Sequence, residues 1–152
     1  MASAPSTIRH LRSGDLKVFR QLNQLFAVCF EDEKNYQSAP PSDAYLEGLL
    51  AKDSVIAIVA LDGQEVVGGL VAYELEKFEQ QRSEIYIYDL AVLESRRRQG
   101  IATALIDAVR DVARQRQAWV VYVQADYGDE PAVALYSKLG IREDVLHFDI
   151  EP

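Results

Sequence analysis

The 152-residue chain is poor in the residues that build metal and redox chemistry: it holds one cysteine, two histidines, one methionine and one tryptophan. One cysteine excludes an internal disulfide framework, and no Cys/His cluster has zinc spacing, so no metal is expected. Cys29 lies in an apolar helical run with Leu25, Phe26 and Val28, where a thiol reads as a small buried hydrophobe rather than a nucleophile. His10 and His147 each stand alone at strand-like positions and read as structural, and Trp119 reads as core or dimer packing. No apolar stretch reaches the roughly 20 residues of a membrane span. Residues 1–6 are small and polar with no apolar segment after them, so no leader or membrane contact is expected and the location follows as cytoplasmic. Positive charge is also short: 16 Lys and Arg stand against 24 Asp and Glu, a net charge of −8. That balance argues against nucleic acid as a partner and suits a cationic ligand.

What is present is a hydrophobic fraction of 49%, enough for one globular domain over residues 1–152 with a loose tail at 1–5. Thr7 to Leu11 alternates as a short strand. Leu16, Phe19, Leu22, Phe26 and Phe30 recur at helical spacing from Asp15 to about Phe30. Glu31 to Lys34 turns polar, Pro40-Pro41 breaks the chain, and Ser42 caps a second helix carrying Tyr45, Leu46, Leu49 and Leu50. Val55 to Leu61 reads as a buried strand, Asp62-Gly63 as a hairpin turn, and Glu65 to Tyr73 (extending toward Lys77) as its partner, with Gly68-Gly69 marking a bulge or a close backbone approach. Ser83 to Val92 is the central strand, Gly100 to about Gln115 a helix, and Trp119 to Ala125 another strand. Asp126 to Glu130 is an acidic loop. Pro131 stands at a helix start, Ala132 to Leu139 is a short helix closed by Gly140, and Val145 to Ile150 alternates as a last strand. This order describes an α/β (α+β) domain, a mixed central β-sheet flanked by helices.

The most informative stretch lies between the central strand and its helix: Arg96-Arg97-Arg98-Gln99-Gly100-Ile101-Ala102. A strand ending in a basic, glycine-containing turn that opens a helix is suited to phosphate, because the first-turn N–H groups lack helical partners and the dipole favours an anion. The Arg97 to Ala102 spacing matches neither the P-loop nor the dinucleotide fingerprint. It resembles the pyrophosphate turn of the GNAT superfamily of N-acetyltransferases, which bind acetyl-coenzyme A. Two longer segments, Lys77 to Val92 and Tyr122 to Tyr136, with the closing stretch from Lys138 to Ile150, are similar to the GNAT-type aminoglycoside 3-N-acetyltransferases, the gentamicin and fortimicin acetyltransferases. The likeness spans residues 8 to 150 and is weakest before Pro40.

The resemblance implies a GNAT fold and acetyl transfer from acetyl-CoA, a co-substrate used without metal, to the 3-amino group of an aminoglycoside within a ternary complex, conferring resistance. A homodimer is expected with it. The cofactor would lie along Leu90, Ala91 and Val92, with its pyrophosphate on Arg97, Arg98, Gln99, Gly100, Ile101, Ala102 and Thr103. An ammonium ion has no lone pair, so a carboxylate must take its proton before attack. Asp89, among apolar residues two or three positions before the cofactor edge, is the first candidate for that base, and Glu84 at the other end of the strand is the second. Backbone N–H groups of Leu90–Val92 would face the oxyanion, and the resemblance gives Tyr136 the leaving thiolate as general acid. An aminoglycoside carries several ammonium groups, so Glu84, Asp89, Asp126, Asp129 and Glu130 are the substrate-binding candidates, with Glu31 to Glu33 read mainly as solvated surface. Two other readings stand beside this one. A GNAT enzyme for a polyamine or a protein N-terminus would keep the turn and Tyr136, and a non-catalytic acyl-CoA-binding module would keep only the fold.

Overall fold

The computed structural model describes residues 5–152, so most of the expected tail lies outside the described residues. Two compact units divide the chain, one ending at Tyr122 and the other running from Val123 to Pro152.

The first unit is built on a five-stranded sheet in the order β1 (Thr7–His10), β2 (Val55–Asp62), β3 (Glu65–Lys77), β4 (Arg82–Val92), β5 (Val120–Val123). The first three pairings are antiparallel. β5 follows the crossover helix α4 (Ile101–Arg116). Ser83 O accepts from Trp119 N at 3.0 Å, and three residues on Tyr86 stacks on Tyr122 at 4.6 Å. Both strands therefore advance together, β4 and β5 are parallel, and the sheet is mixed as expected.

Helices cover the two faces. α1 (Leu16–Cys29) buries Phe19, Leu22, Leu25 and Phe26. With Leu46 and Leu50 of α3 (Asp43–Leu50) they form one core against Ala57, Val59, Leu61 and Val71. Ser42 caps α3 as its position predicts, accepting from Tyr45 N at 3.2 Å. On the opposite face α4 buries Ile101, Leu105, Ile106, Val109 and Ala113. The glycine pair divides these faces. A Cβ on Gly68 would stand 3.1 Å from Ile101 of α4, and one on Gly69 would overlap Leu22 of α1 and lie 3.0 Å from Ile58 O. Both expected reasons for this pair are met: a bulge leaves Val67 without a partner on β2 beside Gly68, and a backbone oxygen lies close to each Cβ position, Ala91 O at 3.2 Å for Gly68 and Ile58 O for Gly69.

The structure also corrects the sequence reading. The polar stretch after α1 contains a further helix, α2 (Glu33–Gln37), and the arginine run opens as a 3₁₀ turn at Glu94–Arg96. Trp119 is not core: the indole is more than half exposed, donates to Glu84 at 3.1 Å and lies 4.0 Å beneath the Arg82 guanidinium.

In the second unit α5 (Glu130–Leu139) carries Pro131 in its first turn, and Asp129 accepts from Ala132 N. The strand expected at Val145 to Ile150 is absent: residues 141–152 are irregular, with Val145, Leu146, Phe148 and Ile150 exposed. Alternation supplies two faces, but a strand is stable only through a hydrogen-bonded neighbour, which this segment lacks among the described residues.

Candidate functional site

Asp89 owes its place to a β-bulge. In the β3–β4 register Ala72 faces Ile87 but Val71 faces Asp89, so Tyr88 is an extra residue on β4. Before the bulge the odd residues Ile85 and Ile87 are fully buried opposite Glu74 and Ala72, on the α4 side with Gly68. Continued alternation would bury Asp89 there as well. The extra residue reverses the parity, and Asp89 and Ala91 instead share the α1 side with Val71 and Gly69. Asp89 Oδ1 there accepts a hydrogen bond from Tyr36 Oη at 2.7 Å. Burial raises the Asp89 pKa, and the phenol's hydrogen bond works against that rise. No cation pairs with this carboxylate among the described residues. A half-buried carboxylate of raised pKa, without a salt bridge, has the character of a general base.

Glu84, the alternative base, is engaged elsewhere. It accepts from the Trp119 indole at 3.1 Å and lies 3.8 Å from Lys77 Nζ. Five residues of strand separate it from Asp89, about 16 Å at the rise of a β-strand. These partners give Glu84 a structural task at the far end of β4.

Beyond Asp89 the strand runs out through Leu90, Ala91 and Val92, and Leu93 N still reaches Val67 O at 2.9 Å. Of the arginine triplet, Arg96 is committed: it meets Asp62 at 2.6 Å and Gln99 Oε1 at 3.1 Å. Gln99 therefore braces the turn. Arg97 Nε reaches Val92 O at 3.4 Å, and Arg98 has no partner among the described residues. Arg98 and Gly100 both take left-handed backbone, at φ 61° and 77°. Gly100 is the N-cap of α4, no side chain caps this helix, and, its chain neighbours and its own helix's backbone aside, nothing among the described residues lies within 4 Å of where a Gly100 Cβ would be. The first-turn N–H groups from Ile101 to Thr103 therefore have no side-chain cap and lie close in sequence to Arg98, which has no partner among the described residues, and to Arg97, whose only partner there is the Val92 carbonyl, the donor set an anion needs.

Cys29 Sγ lies 3.8 Å from Val92 O, and burial raises its pKa. The one thiol of the chain is thus protonated and structural, as its apolar neighbours predict. His10, whose pKa burial lowers, belongs to β1, and His147 faces Asp149 at 2.9 Å. No group of three or more potential metal ligands occurs among the described residues, and no helix is long and apolar enough to cross a membrane.

In the second unit Tyr136 lies on α5, and burial followed by the Asp129 carboxylate raises its pKa, which keeps the phenol protonated. Of the acidic loop, Asp129 is the helix N-cap and Glu130 its first-turn acid, both positions that helices favour for their own stability. Asp126 is exposed, and its carbonyl accepts from Asp129 N at 3.2 Å.

Residues 19–141 match the acetyltransferase (GNAT) family model. The chain belongs to the GNAT acetyltransferase family. GNAT enzymes use acetyl-CoA, and the uncapped start of α4 with Arg97, Arg98 and the open space over Gly100 fits its pyrophosphate. Among solved structures, an aminoglycoside acetyltransferase from an uncultured soil metagenomic sample is 49% identical with a TM-score of 0.95, covering 98% of this chain and 99% of that one. A second soil aminoglycoside acetyltransferase, in complex with sisomicin, is 34% identical with a TM-score of 0.90, covering 97% and 96%. Among curated proteins, an N-alpha-acetyltransferase of Sulfurisphaera tokodaii is 29% identical over 90% of this chain and 80% of its own length.

Sequence reasoning missed the surroundings of Asp89 in this GNAT enzyme. Burial first, and after it the charge on Asp89, raises the phenol pKa values of Tyr36, Tyr73 and Tyr86, and Tyr88 packs edge-on against Tyr73 and Tyr86. The alternation of Tyr86 and Tyr88 with Ile85 and Ile87 was the available signal for an aromatic face. Nothing in the polar run around Tyr36 marked it as Asp89's partner.

Proposed function

We propose that this GNAT enzyme transfers the acetyl group of acetyl-CoA to an amino group of an aminoglycoside, at position 3 of the deoxystreptamine ring, thereby conferring resistance. The observation that carries the reading is the 49% identity to a soil aminoglycoside acetyltransferase across essentially the full length of both chains. Transfer is direct, in a ternary complex. The only thiol is protonated and packed against Val92, which leaves no cysteine to hold the acetyl group.

In this reading the substrate ammonium loses its proton to Asp89, whose raised pKa suits it to accept one. The freed amine attacks the thioester carbonyl, the C–N bond forms, and the developing oxyanion is met by N–H groups of Leu90–Val92. The C–S bond breaks as Tyr136 gives a proton to the departing thiolate, and the second proton of the attacking nitrogen passes to the Tyr136 phenolate, leaving a neutral amide, free CoA thiol and the restored phenol. Asp126, with Asp129 and Glu130 after their duties at the start of α5, supplies negative charge for the remaining ammonium groups, and the net charge of −8 draws them in. The expected homodimer belongs to the same proposal.

The N-alpha-acetyltransferase relative favours a second reading, acetylation of a protein N-terminus, which needs the same base and the same cofactor turn. Product analysis tests the choice of nitrogen. NMR of gentamicin or sisomicin after turnover should show one acetyl group on the 3-amino nitrogen. An acetyl group on any other nitrogen refutes the position, and recovery of unmodified antibiotic refutes the substrate.

A further inference from the structure

Tyr36 has a carefully supported place. α2 is five residues long, too short to be stable alone. Asp32 caps it by accepting from Asn35 N at 3.2 Å, and Asn23 Nδ2 of α1 donates to the Tyr36 carbonyl at 2.9 Å. The Tyr36 ring packs at 6.0 Å from Phe26 and 5.8 Å from Phe30. All this fixes one phenol, which donates to Asp89 Oδ1 at 2.7 Å across 53 residues of sequence.

We infer that Tyr36 is a positioning residue for the reaction: its hydroxyl holds Asp89 Oδ1 so that Oδ2 faces the incoming ammonium group. The inference rests on Asp89 being the base and deepens that reading. Oδ2 has no partner among the described residues, so Tyr36 decides which oxygen is occupied and which is left to accept a proton. The bulge at Tyr88 gives the arrangement its logic, since it brings Asp89 to the side of the sheet where α2 lies.

The phenol also sets the proton affinity of the base. A donor to the ionised form lowers a carboxyl pKa and opposes the rise that burial causes. The other groups acting around the pair are the phenols of Tyr73 from β3 and Tyr86 and Tyr88 from β4, with Asp32 reaching Tyr36 from the head of α2. Cys29 of α1 is engaged with Val92 O. Arg97 is the one cation in this neighbourhood and acts on Cys29, while Asp89 responds only to burial and to Tyr36, so no other group takes over Tyr36's influence. Without the phenol the carboxylate titrates higher, and the acidic limb of kcat moves to higher pH.

The test measures free CoA release against pH for the wild type, Tyr36→Phe, Asp89→Asn and the double variant, with whichever amine the wild type acetylates. Tyr36→Phe should lower kcat roughly 10–150-fold, the value of a hydrogen bond to a charged group. The acetyl-CoA KM should be unchanged and the acidic limb displaced upward. Asp89→Asn should lower kcat about 10²–10⁴-fold, and adding Tyr36→Phe to it should cost nothing more. Asn23→Ala, which loosens α2 without touching the phenol, should move the limb the same way by less, and it serves if Tyr36→Phe folds poorly. An unmoved limb in both variants, or a Tyr36→Phe loss that persists in full on the Asp89→Asn background, overturns the role of Tyr36 and leaves the base intact. Wild-type turnover by Asp89→Asn overturns the base itself, and the positioning role with it.

Discussion

At the residue scale, Asp89, the base in the proposed reaction, sits in tension with the fold. Burial raises its pKa in the native state above the unfolded value, so the protonated form is favoured by folding. By linkage the stability this confers is complete below the unfolded pKa and lost as pH rises through the folded one. At neutral pH the ionised side chain is therefore a burden, which an uncharged isostere removes. Asp89→Asn should melt higher than the wild type at pH 7, and the gap should close as pH falls toward the ordinary aspartate value of about 3.9. A variant that melts lower at pH 7 would mean that Asp89 is held for stability. Tyr136 obeys a different logic, since its raised pKa only keeps it a proton donor. Tyr136→Phe should retain the fold and lose roughly 10–1,000-fold in turnover if the hydroxyl protonates the leaving thiolate. Unchanged turnover would make it a packing residue.

At the scale of elements, Gly69 shows the sheet and α1 meeting with no room to spare. Leu22 is fully buried and Ile58 O belongs to the neighbouring strand, so a methyl group at 69 displaces one or the other. Gly69→Ala should cost about 1–3 kcal/mol in urea unfolding, and an unchanged midpoint would contradict this packing. The sequence foretold this contact because paired glycines in an apolar strand have few other uses. The glycine turn that opens α4 was legible for a similar reason, since a basic run, a glycine and a helix start are local signals. The bulge at Tyr88 left no such trace. Ile85, Ile87 and Asp89 read as one unbroken alternation, and only the register against β3 shows that the face changes. α2 was hidden because its residues are polar and its support is tertiary: Asn23 and the rings of Phe26 and Phe30. The last expected strand failed in the opposite sense, since its alternation is clear and its hydrogen-bonding neighbour is missing.

At the scale of the whole molecule, the family membership, the acidic surface and the uncapped helix start after β4 converge on acetyl transfer to a cationic amine. The soil aminoglycoside acetyltransferases and the N-alpha-acetyltransferase relative divide over which amine that is. Identity over the full chain favours the antibiotic. The measurement that tests this most directly is release of free CoA from acetyl-CoA on adding gentamicin, with spermidine and a generic peptide as parallel acceptors. Saturable turnover with gentamicin and little with the other two is the predicted result. Turnover confined to spermidine or to the peptide would keep the acetyl chemistry and contradict the aminoglycoside assignment.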